Sequence, residues 1–535
     1  MQLFTTHICI DIRRSFATRS ITSGIATGWL LFGHPFAAAF SSRSSSSYSC
    51  AWHSNSFRRS LSPLASFSAY LAPISERKHS FQLMSSNSAI NNADGRPPPS
   101  LPTTWSDVVT NMNSNQQQQW NSFTNNLFPP LTPSSHKGSH GRIAIFGGSE
   151  KYAGAPYYAA QSALHAGIDL ATVFCAKEAS VPIKCYSPEL MVQGVYSVEE
   201  LDTLLDQERG LLEALEQCKQ SNDLMTNEMN EMDMLQTMEK LEHSKEKQNI
   251  LIQSELKKDD QMELLVERLE KMKHLEEELQ ILRKRQQVSV ASIVHTITST
   301  FPTLHALCIG PGLGRHPLVF SAAEKVIRKA IESNLTLVLD ADALFMLSLK
   351  EYRSLLGEIR GYDRCVMTPN LMETRRLDEA TSKEMEAGES VAEYGNIVVQ
   401  KGHTDTITHG CHTMQCKEEG GLKRSGGIGD VLAGTITAFM AWNAILEKDN
   451  TPNGNIDGKA VNRQHIQRVF ASWAACCAVK RGTRIAFQKQ RRAMSALDVS
   501  GEIGEVLGSM EGGLELELCS DQVQTLANDM PDAST

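Results

Sequence analysis

Several common catalytic signatures are missing from this chain of 535 residues. It has no GxxxxGK followed by Ser or Thr, which excludes a P-loop. Its GPGLG at 310–314 falls short of the GxGxxG of a dinucleotide-binding fold. Neither HExxH nor GxSxG occurs, so zinc proteases and serine esterases lack support. Twelve cysteines are scattered with no CxxC pair and no Cys/His ligand spacing, a pattern of free thiols in a reducing compartment. The net charge of −9 carries no basic excess and speaks against a nucleic-acid or membrane-surface binder.

Acidic residues are also missing from the start of the chain. Asp11 is the only acid before Glu76, while Arg13, Arg14, Arg19, Arg43, Arg58 and Arg59 sit among many serines. An Arg- and Ser-rich, acid-poor leader is the composition of an organelle presequence, directed to a mitochondrion or plastid, with a cytosolic form as the alternative. The apolar stretch at 21–40 is interrupted by His34 and Pro35 and is too short for a confident membrane span. Residues 1–98 are therefore assigned to leader and 99–135 to connector, including the polar, disorder-prone NSNQQQQWNS.

What is present from about residue 140 is an alternation of short β-branched runs and helical stretches, the pattern of an α/β fold with a mainly parallel central sheet flanked by helices. The strands expected are RIAIF, DLATVFC, ALCI, LTLVL, RCVM and NIVVQ. Five of them run into Gly147-Gly148, GPGLG, Asp340-Ala341-Asp342, Thr368-Pro369-Asn370 and Lys401-Gly402. Any one such end is an ordinary tight turn. Together they point to a shared site, because ligands of open α/β sheets bind beyond the carboxyl ends of the strands.

Residues 199–300 interrupt the alternation. They are charged, rich in Glu, Lys, Gln, Leu and Met, and Leu265, Leu269, Met272, Leu275, Leu279 and Leu282 recur at helical spacing. This predicts a helical, coiled-coil-like insertion dividing a catalytic domain into 136–198 and 301–510, with an acidic tail over 511–535. An excursion packed on itself rather than on the sheet would be removable, so deleting about residues 200–290 is expected to leave activity intact.

The remaining signal is RSGGIGDVLAGT, 424–435, where Gly426, Gly427 and Gly429 precede Asp430 and an apolar helical run. Bare N–H groups at a helix start bind anions. A flexible turn with Asp430 as a helix cap is the alternative.

GGIGDVLAG resembles the anion hole of the ribokinase-like superfamily. HKGSHGRIAIFGGSEKYAGAPYYAAQSALHAGIDLATVFCA, YSPELMV, IGPGLGR, TPNLMETRRL, VVQKGHTD and LKRSGGIGDVLAGTI are similar to one branch of it, the ATP-dependent NAD(P)H-hydrate dehydratases. A vitamin-precursor kinase of the same superfamily would share GGIGD, and the N-terminal KGSHGRIAIFGGS…YAGAPYYAA block favours the dehydratase branch. A helical interaction protein with a degenerate nucleotide fold is opposed by the intact motifs.

The resemblance implies a ribokinase-like fold and repair of hydrated NADH and NADPH, with ATP as co-substrate and Mg2+. It also implies functional pairing with an NAD(P)H-hydrate epimerase, and it admits a homo-oligomer. It assigns Asp430 as general base and Gly427 and Gly429 to the anion hole. ATP contacts fall to Lys401, Gly402, His403, Thr404 and Asp405, and to Gly420, Gly421, Leu422, Lys423, Arg424, Ser425, Gly426, Gly427, Ile428 and Gly429. Hydrate contacts fall to Gly312, Asn370, Leu371, Met372, Glu373, Thr374, Arg375, Arg376 and Asp430. No direct metal ligand is implied, Glu373 acting through water or else as a cap. Gly147, Gly148, Tyr152 and Pro156 shape the substrate side, and Asp340 and Asp342 either orient the site or cap the following helix, the structural role being the preferred reading.

Overall fold

The computed structural model describes residues 101–110, 123–239, 246–382, 395–410, 412–450 and 458–528. The leader, the NSNQQQQWNS stretch and the end of the acidic tail lie outside the described residues.

Nine strands form one sheet in the order β3-β2-β1-β4-β5-β6-β7-β8-β9. They are β1 (Arg142–Phe146), β2 (Leu170–Ala176), β3 (Met191–Tyr196), β4 (Ala306–Ile309), β5 (Thr336–Leu339), β6 (Cys365–Met367), β7 (Ile397–Gln400), β8 (Asp405–His409) and β9 (His412–Cys416). Pairing is parallel from β3 through β7 and antiparallel across β7, β8 and β9. Every residue of β4 and β5 is buried, so helices cover both faces of the sheet there. The six expected runs are β1, β2 and β4–β7.

Three strands lack a strong local pattern. β3 is an edge strand with Gly194 inside it, where a side chain would strike the Lys177 backbone. β8 and β9 are a polar hairpin buried at alternate positions or fewer, so their composition resembles a loop.

The helices are α1 (Trp105–Thr110), α2 (Gly154–Ala166), α3 (Lys177–Tyr186), α4 (Val198–Glu239), α5 (Glu246–Thr298), α6 (Pro317–Glu332), α7 (Asp342–Leu347), α8 (Arg353–Arg360), α9 (Leu371–Ser382), α10 (Ile428–Asn450), α11 (Gly458–Gln490) and α12 (Ala496–Asn528). α6 shows how local sequence makes these elements. Pro317 opens it, the His316 ring accepts the Leu318 N–H, and Val319, Phe320, Ala323, Val326, Ile327 and Ala330 bury one stripe. α10 is apolar and long enough to cross a bilayer by composition, yet most of it is buried against the sheet and α2. At Gly434 a Cβ would stand 1.9 Å from the Ala159 carbonyl oxygen, so only glycine lets α10 approach α2 this closely.

Two boundaries differ from the sequence expectation. Part of the connector belongs to the core: Trp105 stacks on Trp473, its backbone N–H donates to Glu418 Oε1 at 2.8 Å, and Val108 and Leu127 are buried in the same core. The helical insertion is likewise rooted in the core. α4 and α5 pack side by side, and Leu201, Val290, Ile293, Val294 and Ile297 join the main hydrophobic cluster. The leucine stripe divides: Leu279 and Leu282 are buried, whereas Leu269 is exposed.

This corrects the expected tolerance of a 200–290 deletion. Removing buried residues such as Leu201 and Val290 costs about 2–5 kcal/mol for each large cavity left, so that deletion should unfold the protein. A shorter cut is the tolerable one. The helices are adjacent where Arg268 donates to the Ser221 carbonyl at 3.4 Å. Excising 223–264 and bridging with a short Gly/Ser linker is expected to preserve activity and the melting temperature. Loss of the cooperative melt would place the distal helices in the folding core.

Candidate active site

The parallel register brings the carboxyl ends of β1 and β4–β7 to one edge. The first two turns interlock. The Gly148 N–H lies 3.1 Å from both the Pro311 and Gly312 carbonyl oxygens, and the buried Tyr196 hydroxyl donates to the Gly148 carbonyl at 3.2 Å. Gly312 lies against Tyr152, and Gly148 against Pro156, so the four residues assigned to the substrate side and Gly312 form one wall.

A charged cluster occupies the next strand ends. Lys401, at the end of β7, donates from Nζ to Asp340 Oδ1 at 2.6 Å, and the Thr368 hydroxyl donates to the same oxygen at 2.7 Å. The two charged side chains are 19% and 2% exposed, so the pair is largely dry. A Cβ built on Gly429 would stand 3.5 Å from Lys401 Nζ, which sets the ammonium at the first turn of α10. Burial works against the Lys401 charge, but Asp340, with Glu373 and Asp430 further off, outweighs it and raises the ammonium's pKa above its ordinary value. Asp430 responds oppositely. Burial foremost, then Asp340 and Asp342, push its carboxyl up to about 7, with Lys401 pulling it down.

The helix start is built for close approach. Gly427 has φ +92°, a left-handed conformation, and its carbonyl accepts the Val431 N–H at 3.0 Å. A Cβ on Gly426 would meet no described protein atom within 4 Å, so the loop faces open space there. The N–H groups of the first turn of α10 lack intrahelical partners and carry the positive end of the helix dipole.

At the start of α9, Asn370 and Glu373 form a reciprocal capping box. Asn370 Oδ1 accepts the N–H groups of Met372 and Glu373 at 2.9 and 3.0 Å, and Glu373 Oε2 accepts the Asn370 N–H at 2.9 Å. Thr374 donates to the Asn370 carbonyl, while Leu371, Met372, Arg375 and Arg376 are exposed. A backbone bridge joins Asn370 to Lys401, with the Lys401 N–H on the Pro369 carbonyl at 2.9 Å.

The residues assigned to ATP divide into two groups. Lys401, Gly426, Gly427, Ile428 and Gly429 surround the helix start, next to Asp430. Asp405 instead anchors the hairpin: Oδ1 accepts the Gly402 N–H at 2.8 Å, and Oδ2 lies 3.3 Å from Lys480, which also donates to the His403 carbonyl. Thr404 forms the turn between them. Gly420 and Gly421 pack on α11, where the Gly421 N–H donates to the Thr483 hydroxyl. Lys423 donates to the Met494 carbonyl at 2.6 Å, Leu422 is 86% exposed, Arg424 is exposed and Ser425 half-buried.

Of the two readings of Asp340 and Asp342, helix cap or orienting residue, the preferred cap role fails, because neither side chain caps the helix. Asp340 holds Lys401. Asp342 accepts the Gly314 N–H at 3.0 Å and pairs with Arg315. Asp340 is thus the central residue that sequence reasoning undervalued, and its one sequence signal was its place at a strand end.

An anion-ready helix start, a buried ammonium and a carboxyl poised near neutrality, all at the carboxyl edge of a parallel sheet, define an α/β enzyme. The family model described as NAD(P)H-hydrate dehydratase matches residues 143–216 and 265–503, more than half of the chain, and the chain belongs to that family. The ATP-dependent (S)-NAD(P)H-hydrate dehydratase of Neurospora crassa is 29% identical over 406 residues, 73% of this chain and 93% of the relative. The enzyme of the same description from Entamoeba histolytica is 28% identical over 395 residues, 73% and 95% of the two chains. A solved ribokinase-like superfamily protein of Enterococcus faecalis is 16% identical with a TM-score of 0.41, covering 73% of this chain and 94% of that one. Residues 217–264 fall outside the family match.

Proposed function

We propose that this protein repairs nicotinamide coenzymes, using ATP to dehydrate the S form of hydrated NADH or NADPH and releasing ADP and phosphate. The hydroxyl of the hydrated ring gives up its proton and attacks the γ-phosphorus of ATP, the bond to the β-phosphate oxygen breaks to release ADP, and phosphate then leaves the ring as the neighbouring ring carbon loses a proton, which restores the double bond of the reduced coenzyme. The observation that carries this reading is the position of Asp430, one residue beyond the Gly426–Gly429 loop and within the field of Lys401.

Phosphoryl transfer asks for positioning and charge stabilisation rather than covalent help. The N–H groups of Ile428, Gly429 and Asp430 face the charge developing on the transferred group. Asp430 takes the hydroxyl proton as general base. Gly312 and the Asn370–Arg376 segment line the hydrate side, and the 401–405 turn with the 420–429 loop lines the nucleotide side.

Magnesium suits this donor set as a partner of the nucleotide. Among the described residues no three His, Cys, Asp or Glu side chains form a metal cage, while Glu373 offers a half-buried carboxylate beside the phosphate region for a contact through water. Bound with ATP, the ion would neutralise phosphate charge. An enzyme specific for the S epimer works beside an epimerase that converts the R form, and the Arg- and Ser-rich leader directs the chain to a mitochondrion or plastid.

The direct test supplies purified protein with ATP, magnesium and hydrated NADH and follows the return of reduced-nicotinamide absorbance. Its pH dependence is a further prediction. Asp430 must be ionised to accept a proton, and its pKa stands near 7, so kcat/KM should rise about tenfold per pH unit below 7 and level off above it. A profile flat from pH 5.5 to 8 would exclude Asp430 as the base.

A further inference from the structure

The cluster holds a residue that none of these roles uses. Asp340 reaches the ligand-facing loops only through Lys401, whose ammonium its Oδ1 receives at 2.6 Å together with the Thr368 hydroxyl at 2.7 Å. It is buried, and its backbone is clamped as well: a Cβ on Gly310 would lie 1.8 Å from the Asp340 carbonyl oxygen, which ties the β4 and β5 turns together. The carboxylate therefore has little freedom. Whatever it holds is held still.

What it holds is an ammonium with two other neighbours. Lys401 Nζ stands beside Gly429 in the first turn of α10, and it feels the carboxylates of Glu373 and Asp430. A lysine on its four-carbon stem would otherwise distribute itself among three acids. We infer that Asp340 is a positioning residue for the reaction, one that acts on the phosphoryl site through Lys401 by fixing the ammonium between the helix start that receives the phosphoryl group and the carboxylate that receives the proton. This rests on the phosphoryl-transfer reading given above and deepens it.

The arrangement has a chemical consequence. The groups acting on Asp430 are Asp340, Asp342 and Lys401, the first two opposing its ionisation and the third favouring it. Held on Asp340, the ammonium is shared. Released from it, the ammonium would turn toward Asp430 and ease its loss of a proton while leaving the phosphoryl site. Turnover should then fall even though the base ionises more readily, a combination that general destabilisation does not produce.

The test is a double-mutant cycle on the full chain with Asp340→Asn and Lys401→Met, read by single-turnover kinetics with ATP and hydrated NADH over pH 5.5–9. Asp340→Asn is expected to lower the chemical step about 10²-fold through misplacement, with the KM for ATP within about threefold of wild type. Its acid limb should move to lower pH, and that of Lys401→Met to higher pH. In the Lys401→Met background, adding Asp340→Asn should change the rate on the alkaline plateau, where Asp430 is fully ionised, less than about twofold, because the two residues position the phosphoryl site as one unit. Additive losses, or an acid limb unmoved in Asp340→Asn, would overturn the proposal and leave Asp340 a structural residue.

Should Asp340→Asn alone fail to fold, because it leaves a buried ammonium unpaired, the comparison of Lys401→Met with the uncharged double variant still decides. Equal rates on that plateau support the proposal and a further loss overturns it. Asp430→Asn is measured alongside. Undiminished turnover in that variant would defeat the assignment of Asp430, whereas the cycle between Asp340 and Lys401 reports on their coupling by itself.

Discussion

Replacing Asp430 with Asn is expected to cut turnover by about 10²–10⁴-fold while the fold and nucleotide binding survive. Asn keeps the size and polarity of the side chain and lacks only the capacity to accept the proton. The loss should appear in kcat and kcat/KM together, since the proton moves only on the way to the transition state. Turnover within a few-fold of wild type would sink the assignment.

The same variant carries a prediction about stability with the opposite sign. The folded protein holds the Asp430 proton up to about pH 7, whereas an unfolded chain releases it near the ordinary aspartate value of 3.8. The native state therefore binds more protons across that window, and stability is lost as pH rises from about 4 to 7. Above pH 7 the wild type bears the full cost of a charge buried next to Asp340. Asn has no charge to bury, so the gain in melting temperature of Asp430→Asn over wild type should be larger at pH 8 than at pH 5. A gain independent of pH would mean that the burial of Asp430 does not govern its ionisation.

Gly427→Val is expected to abolish productive ATP binding. Two costs fall on the same atom. A β-branched residue at φ +92° is strained by about 1–3 kcal/mol. Its Cβ would also stand 2.8 Å from the Tyr158 ring and from Ala496, overpacking that costs a further 1–3 kcal/mol or so. Relief requires moving the start of α10, and with it the N–H groups proposed above to meet phosphate. Calorimetric titration with a non-hydrolysable ATP analogue should show affinity reduced by about 10²-fold or more, the equivalent of roughly 3 kcal/mol.

Gly426→Ala serves as the partner experiment. Its added methyl meets no described protein atom, so the melting temperature should hold, and any loss of ATP affinity reports on the space a ligand needs. Undiminished affinity in a folded Gly427→Val protein would place the anion hole elsewhere.

Much of this was written in local signals. The runs IAIF, ALCI and LTLVL are β-branched or apolar throughout, because a strand buried on both faces has no polar side to show. The Asn370-x-x-Glu373 spacing closes a capping box within one turn, and the glycines before Asp430 announce a helix start that something approaches. Such features depend on neighbours a few residues apart, so composition and spacing suffice to read them, and the family follows from the motifs they make.

The tertiary structure decided the rest, where partners lie far apart in the chain. Asp340 reads as a helix cap until the parallel register of β5, β6 and β7 brings Thr368 and Lys401, 28 and 61 residues away, onto one of its oxygens. Trp105 looks like part of a polar connector until it stacks on Trp473, and the charged helices look detachable until Leu201 and Val290 enter the core. Periodicity records which face of an element is apolar but not what that face will meet. The near-neutral pKa of Asp430 has the same origin: it arises from burial and from charges carried on other strand ends, which coexist with it only once the sheet has formed.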